Sequence, residues 1–238
     1  MKNEKTKWEI TTNRFVAYLD ILGFKDRVMR NTHEEIYEDL NCLLDTKEVF
    51  LINEQVSMPD DPSVFMATFS DSIIVCSKDD TIFSFDHFLS QLRLLFHGAI
   101  RKDRIPLKGC IAHGKISIDK ERQIYFGQPI IDAYLLEEEI NYMGIICHNS
   151  IDKYLNTIKK EDADKWADYF LFKCLTPLKS GKITHYNLNW FQHGQYTLEG
   201  KDLEGYYATV SGSARRYIDN TIEMLNEWLR VTNGMYVR

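Results

Sequence analysis

Two aspartates interrupt otherwise apolar sequence. Asp20 closes the run Phe15-Val16-Ala17-Tyr18-Leu19, and Asp71 sits between two apolar runs in "VFMATFSDSIIVCS". A carboxylate at the tip of a buried strand is costly unless an Arg, a Lys or a metal ion meets it. Singly, such a residue also serves as a turn former or a helix cap. If the two strands are neighbours, the carboxylates converge at one end of a sheet, where they repel and one takes up a proton. A divalent cation removes that conflict, and hard oxygen ligands suit Mg²⁺ or Mn²⁺. Two such acids can hold a metal pair about 3.5–4 Å apart for in-line displacement at phosphorus.

The elements that must position these acids follow from hydrophobic period. Residues 14–19 read as a buried strand, and Gly23 marks a tight turn. The stretch 33–52 places Ile36, Leu40, Leu43 and Leu44 on one helical face. A loop at 58–63 leads into a hairpin whose tip carries Asp71. A second helical period spans 80–101, and 105–118 alternates as a strand or bent hairpin arm. "QIYFG" is a short strand, and "QPIIDAYLLEEEINY" is a helix with proline in its first turn and Ile131, Tyr134 and Leu135 available for packing. Strand "MGIICHN", a helix over 150–168, strands "YFLFKCL" and "KITHYNLNW", and a helix in the last 30 residues complete the chain. This order predicts an α+β fold with a mixed or antiparallel sheet and helices on one face. No GxGxxG follows a strand, which argues against a doubly wound parallel sheet.

Composition narrows the function classes. A length of 238 residues with 44% apolar content fits one large domain, or one domain with an added layer. The net charge of -6, with both signs well mixed, speaks against a nucleic-acid groove. Five separated cysteines without a CxxC pair read as reduced buried thiols in a cytoplasmic protein. The polar N-terminus indicates no signal peptide, and no apolar run is long enough for a membrane span.

Several motifs, in order over residues 12–190, resemble the class III nucleotidyl cyclases. "FVAYLDILGFKD" is similar to their first-metal motif, an Asp, two residues, then Gly-Phe. "FSDSIIV" resembles their second-metal hairpin, with Ser70-Asp71 where Gly-Asp is usual. "LKGCIAHGKISI", "YFGQPIIDAYLLEEE" and "LKSGKITHYNL" resemble the strand before the dimer segment, the Gly-x-x-Val-x-x-Ala-x-x-Leu helix and the late Lys-Gly strand.

The resemblance implies a ferredoxin-like βαββαβ core over 12–190, with a C-terminal helical extension at 191–238 packed on it. It implies a head-to-tail homodimer that turns a ribonucleoside triphosphate into a 3′,5′-cyclic nucleotide and pyrophosphate. Asp20, Ile21 and Asp71 would hold two Mg²⁺ or Mn²⁺ ions, and the N–H groups of Leu22, Gly23 and Phe24 would cradle phosphates. Lys179 or Lys182 would neutralise the β- and γ-phosphates.

Two departures bear on activity. The family's Asn and transition-state Arg fall at Ile131 and Leu135, which leaves Arg14, Arg104, Arg215 and Arg216 as substitute cations. The base-selecting positions are Ala67 and Ile124, neither of which offers the polar pair that a purine edge requires. The stand-alone cyclases of Pycsar anti-phage systems, which make cyclic CMP or cyclic UMP, resemble the chain more in character. A catalytically impaired nucleotide sensor, a purine cyclase and a related polymerase or oligonucleotide cyclase on the same core are the alternatives.

Overall fold

The computed structural model describes residues 8–41, 43, 64–101, 104–158, 169–193, 196–208 and 210–235. The expected loop at 58–63, the helical positions 44–52 and the end of the helix expected over 150–168 lie outside these residues.

Strand β1 (Thr11–Ile21) is the axis of the fold. It is followed by α1 (Phe24–Arg30), a helix α2 over 33–41, and the hairpin β2 (Val64–Phe69) and β3 (Ser72–Ser77). Then come α3 (Ile82–Arg101), β4 (Leu107–Asp119), β5 (Ile124–Phe126) and α4 (Gln128–Glu139). Next are β6 (Ile145–Cys147), α5 (Asn149–Leu155), and the hairpin β7 (Leu171–Leu178) and β8 (Gly181–Leu188). The strand pair β9 (Gln192–His193) and β10 (Tyr196–Thr197) precedes α6 (Gly200–Glu204) and α7 (Arg215–Met235). Helix α5 ends at Leu155, earlier than the sequence period predicts, and residues 156–157 turn away.

The large sheet runs β2-β3-β1-β4-β6-β8-β7, with β5 paired to β4. Its first four strands give the ferredoxin-like βαββαβ order. β1 is antiparallel to β3 and β4, whereas β4 and β6 are parallel, so the sheet is mixed. β1 reads as a continuous apolar run because both its faces are covered. Phe15 packs on Phe85 and Phe88 of α3, with ring centroids 4.4 and 6.0 Å apart. On the other face Tyr18 meets Tyr134 of α4 at 5.4 Å.

Helix α4 packs through Tyr134, as its sequence suggests, but not through Ile131 and Leu135. Ile131 and Leu135 are 52% and 55% exposed. The buried residues are Pro129, Ala133 and Glu137, a narrow row at i, i+4 and i+8. C-terminal residues Leu198, Leu203, Tyr206, Ile218, Met224 and Trp228 join the same apolar core as β1.

β1 and β4 come into close contact at Gly109. A methyl group there would lie 2.3 Å from Leu19 Cδ2 and 2.8 Å from the Tyr18 carbonyl oxygen. Gly109→Ala should therefore cost about 1–3 kcal/mol by overpacking. That loss corresponds to about 2–4 °C of melting temperature per kcal/mol in a chain of this size. Thermal unfolding measures it, and an unchanged melting temperature contradicts the close approach.

Candidate functional site

Asp20 is the penultimate residue of β1, and it stands opposite Ser72 of β3 on one side and Lys108 of β4 on the other. Strand alternation places it on the same face as Tyr18, under α4. Asp71 lies at the tip of the β2–β3 hairpin, and its carbonyl oxygen accepts from the Ile21 N–H at 3.1 Å. This main-chain bond ties the hairpin tip to the end of β1. Ser70 adopts φ 56, the left-handed conformation that glycine takes without strain. The tip thus keeps the turn that a Gly-Asp pair would make.

The two aspartates lie close enough for one to disfavour ionisation of the other. Burial, then Glu137, then Asp71 push the Asp20 carboxyl up to about 7, and Lys108 and Lys179 oppose the shift. Among the described residues no cation lies within ion-pair distance of Asp20. The cation opposite it is engaged elsewhere. Lys108 Nζ lies 2.7 Å from Glu137 Oε1 and donates to the Glu137 carbonyl oxygen at 3.0 Å. These two side chains are 7% and 4% exposed. Burial raises the Glu137 carboxyl, against the pull of Lys108. Tyr217, on the first turn of α7, closes the cluster and interacts with Lys108, Glu137 and Asp20, its hydroxyl pushed up by burial.

The other residues singled out by sequence divide. Ile21 is buried at its side chain, so only its main chain can reach a ligand. The Leu22 N–H already donates to the Pro106 carbonyl oxygen at 2.9 Å and cannot also cradle a phosphate. Gly23, at φ 72, caps α1, and Phe24 opens it. Lys179, at the β7–β8 turn, acts on both Asp20 and Glu137. Lys182 instead pairs with Glu223 of α7. Of the substitute arginines, Arg14 is fully buried, donates to the Ser77 and Glu9 carbonyl oxygens and stacks on Trp8 at 4.6 Å. It precedes Asp20 by about 20 Å of strand and is structural. Arg215 stacks on Tyr207 at 4.9 Å, and Arg104 lies against Gly205. Arg216 is exposed beside Tyr217.

Sequence reading missed Lys108, Glu137 and Tyr217. Lys108 carried the same signal as Asp20, a charge in an apolar run. Glu137 was hidden in "LEEE", which has the look of a solvated helix face.

Two carboxylates that form no ion pair among the described residues, and one main-chain segment, make a hard-oxygen donor set that fits Mg²⁺ or Mn²⁺. Among the described residues no cluster of three or more His, Cys, Asp or Glu could hold a metal, so an ion held here would need water or substrate to complete its coordination. Beside Asp71, a cavity of about 770 Å³ runs along the β2 edge and is lined by Phe65, Ala67, Thr68, Ser70, Ser72 and Tyr125 among others. Ile124 does not line it; its neighbours Gln123 and Tyr125 do. Among the described residues no helix is long and apolar enough to cross a membrane.

By sequence, no protein-family model and no curated protein matches the chain. By structure it is similar to the catalytic cores of nucleotidyl cyclases. A bacterial light-regulated adenylyl cyclase superposes with a TM-score of 0.51 at 11% identity, covering 76% of this chain and 92% of that one. The catalytic core of a rhodopsin-guanylyl cyclase with converted specificity, in complex with ATPαS, gives 0.53 at 13% identity, covering 74% and 94%. The adenylyl cyclase CyaB from P. aeruginosa gives 0.51 at 13% identity, covering 79% and 98%. The α+β core of the class III cyclases is thus the fold of this chain.

The electrostatics of Asp20 yield a stability prediction. Its carboxyl titrates higher in the folded protein than in the unfolded chain, at about 7. Metal-free wild type therefore loses stability as pH rises from about 4 toward 7, and the loss is complete above that. Asp20→Asn should be more stable than wild type by about 1–2 kcal/mol at pH ~8, allowing for solvent contact, and by little at pH ~4.5. Urea unfolding in chelator measures this, and added Mn²⁺ should reverse the order at the higher pH by binding wild type alone. Equal stability of the two proteins at the higher pH contradicts the cluster.

Proposed function

We propose that this protein is a metal-dependent nucleotidyl cyclase. It converts a ribonucleoside triphosphate to a 3′,5′-cyclic nucleotide and pyrophosphate, the 3′-hydroxyl attacking the α-phosphate. The observation that carries the reading is the closeness of Asp20 to Asp71 at one end of the central strands, with no ion pair to either among the described residues, on a cyclase-like fold. Asp20, Asp71 and the main chain at Ile21 hold the cations. When bound, Mg²⁺ or Mn²⁺ supplies Lewis acidity to the attacking and leaving oxygens. Lys179, which already acts on Asp20, neutralises the triphosphate in preference to Lys182, which Glu223 engages. The turn at Gly23 and Phe24 presents main chain to the phosphates.

The base occupies the cavity beside Asp71, whose volume is within the usual range for small-molecule sites. Its described lining includes no charged side chain. That favours a pyrimidine over a purine read by a Lys-Asp or Glu-based pair, so the products are cyclic CMP or cyclic UMP. On the resemblance to Pycsar cyclases, the product serves as an anti-phage second messenger.

The protein acts as a head-to-tail homodimer. The support is the outward face of α4, where Ile131, Tyr134 and Leu135 are exposed with neighbouring Phe126. The same face favours a second reading, a nucleotide sensor of low turnover. Ile131 and Leu135 occupy the positions of the family's Asn and Arg and can donate no hydrogen bond to a phosphate.

Incubation with each ribonucleoside triphosphate and Mn²⁺ should yield one cyclic monophosphate and pyrophosphate from CTP or UTP. Asp20→Ala and Asp71→Ala should each lower the rate at least ~100-fold, as loss of electrostatic stabilisation at the reacting centre does. Binding without turnover of any of the four selects the sensor, a cyclic purine product corrects the base, and an oligonucleotide product rejects the cyclase. Leu135→Asp should convert a dimer to a monomer in sedimentation and abolish turnover. A monomeric wild type that remains active rejects the dimer.

A further inference from the structure

Lys108 has two acidic neighbours on offer. One is Asp20, its direct cross-strand partner in the β1–β4 register. Opposed antiparallel residues bring their Cβ atoms to about 5 Å, within easy reach of a lysine side chain. The other is Glu137, which arrives from α4. Lys108 is bound by Glu137 twice, through Oε1 at 2.7 Å and the carbonyl oxygen at 3.0 Å, while no ion pair joins it to Asp20. Ala133 and Pro129 accompany Glu137 in the buried row of α4, so the helix delivers this one carboxylate inward, while Ile131 and Leu135 face out. A glutamate at that depth is expensive to bury without a task.

We infer that Glu137 is a positioning residue that holds Lys108 away from Asp20 and so leaves Asp20 open to a divalent cation. The inference rests on the metal-site reading given above and extends it to a residue outside the ligand set. Without the Glu137 carboxylate, the acid directly across the strands from Lys108 is Asp20. Lys108 swings to Asp20 and competes with the metal there. The pair is thus a lock on a lysine that would otherwise occupy the cation's place.

The test is Mn²⁺ binding to the full chain without nucleotide, followed by calorimetry and by the electron paramagnetic resonance of free Mn²⁺. Glu137→Gln keeps the shape of the side chain and should weaken Mn²⁺ binding about tenfold, since a cation beside a carboxylate shifts its proton affinity by at least that factor. The double variant Lys108→Met/Glu137→Gln removes the competitor and should regain wild-type affinity within about threefold. That recovery separates a lock from a packing role, which a second substitution in the same core would worsen. Circular dichroism establishes that each variant is folded. Folded Glu137→Gln that binds as wild type does, or a folded double variant as weak as the single one, overturns the inference while the metal site stands. If Glu137→Gln does not fold, the double variant decides alone: wild-type affinity supports the lock and lost affinity overturns it. A wild type that binds no Mn²⁺ overturns the site and the lock together.

Discussion

The end of β1 is governed by a charge balance in a place where water is scarce. Asp20, Asp71 and Glu137 carry negative charge toward one spot, and Lys108 and Lys179 answer it. The ion pair between Lys108 and Glu137 is buried on both sides. Burying such a pair costs desolvation of two ions, and it is weak evidence of stabilisation by itself. Its consequence here is geometric: it fixes which face of α4 turns toward the sheet. With Glu137 inward, Ile131 and Leu135 face outward.

The C-terminal segment belongs to this arrangement. Tyr217 reaches the acidic cluster, and Glu223 engages Lys182. Between them, Asn220 donates to the Asn141 carbonyl oxygen at 2.5 Å, and the Thr221 hydroxyl accepts from the Met143 N–H at 2.8 Å. These bonds brace the loop between α4 and β6. Under it, the Tyr142 hydroxyl donates to Asn187 Oδ1 at 2.7 Å, and Asn187 Nδ2 donates to the Thr176 hydroxyl at 2.8 Å. All three side chains are buried, so the network holds the β7–β8 hairpin in register by satisfied polar groups. Lys179 at the tip of that hairpin inherits its position from them. Helix α7 is therefore a third wall of the site, in addition to the sheet end and α4.

How the turn at Ser70 is made has a similar logic. A left-handed φ at a serine is strained relative to glycine. The bond from Ile21 N–H to the Asp71 carbonyl oxygen holds the tip against β1. The chain keeps the shape of the hairpin with a less permissive residue, and that shape is what sets Asp71 beside Asp20.

Much of the fold and half of the site were legible in the chain. The apolar run ending in Asp20, the hairpin tipped by Asp71 and the helical periods are local signals, encoded in neighbouring residues, and they predicted β1, β2, β3, α3 and the pairing of the two acids. What the chain alone left open was every choice between partners far apart in sequence. Lys179 and Lys182 look equivalent until one faces Asp20 and the other Glu223. Glu137 looks like its neighbours Glu138 and Glu139 until the rotation of α4 buries it alone. Ile131 and Leu135 look like core because period reports that a helix has an apolar side, but not which side meets the sheet. A side chain's environment is set by whichever distant element packs against it, and only the folded chain decides that.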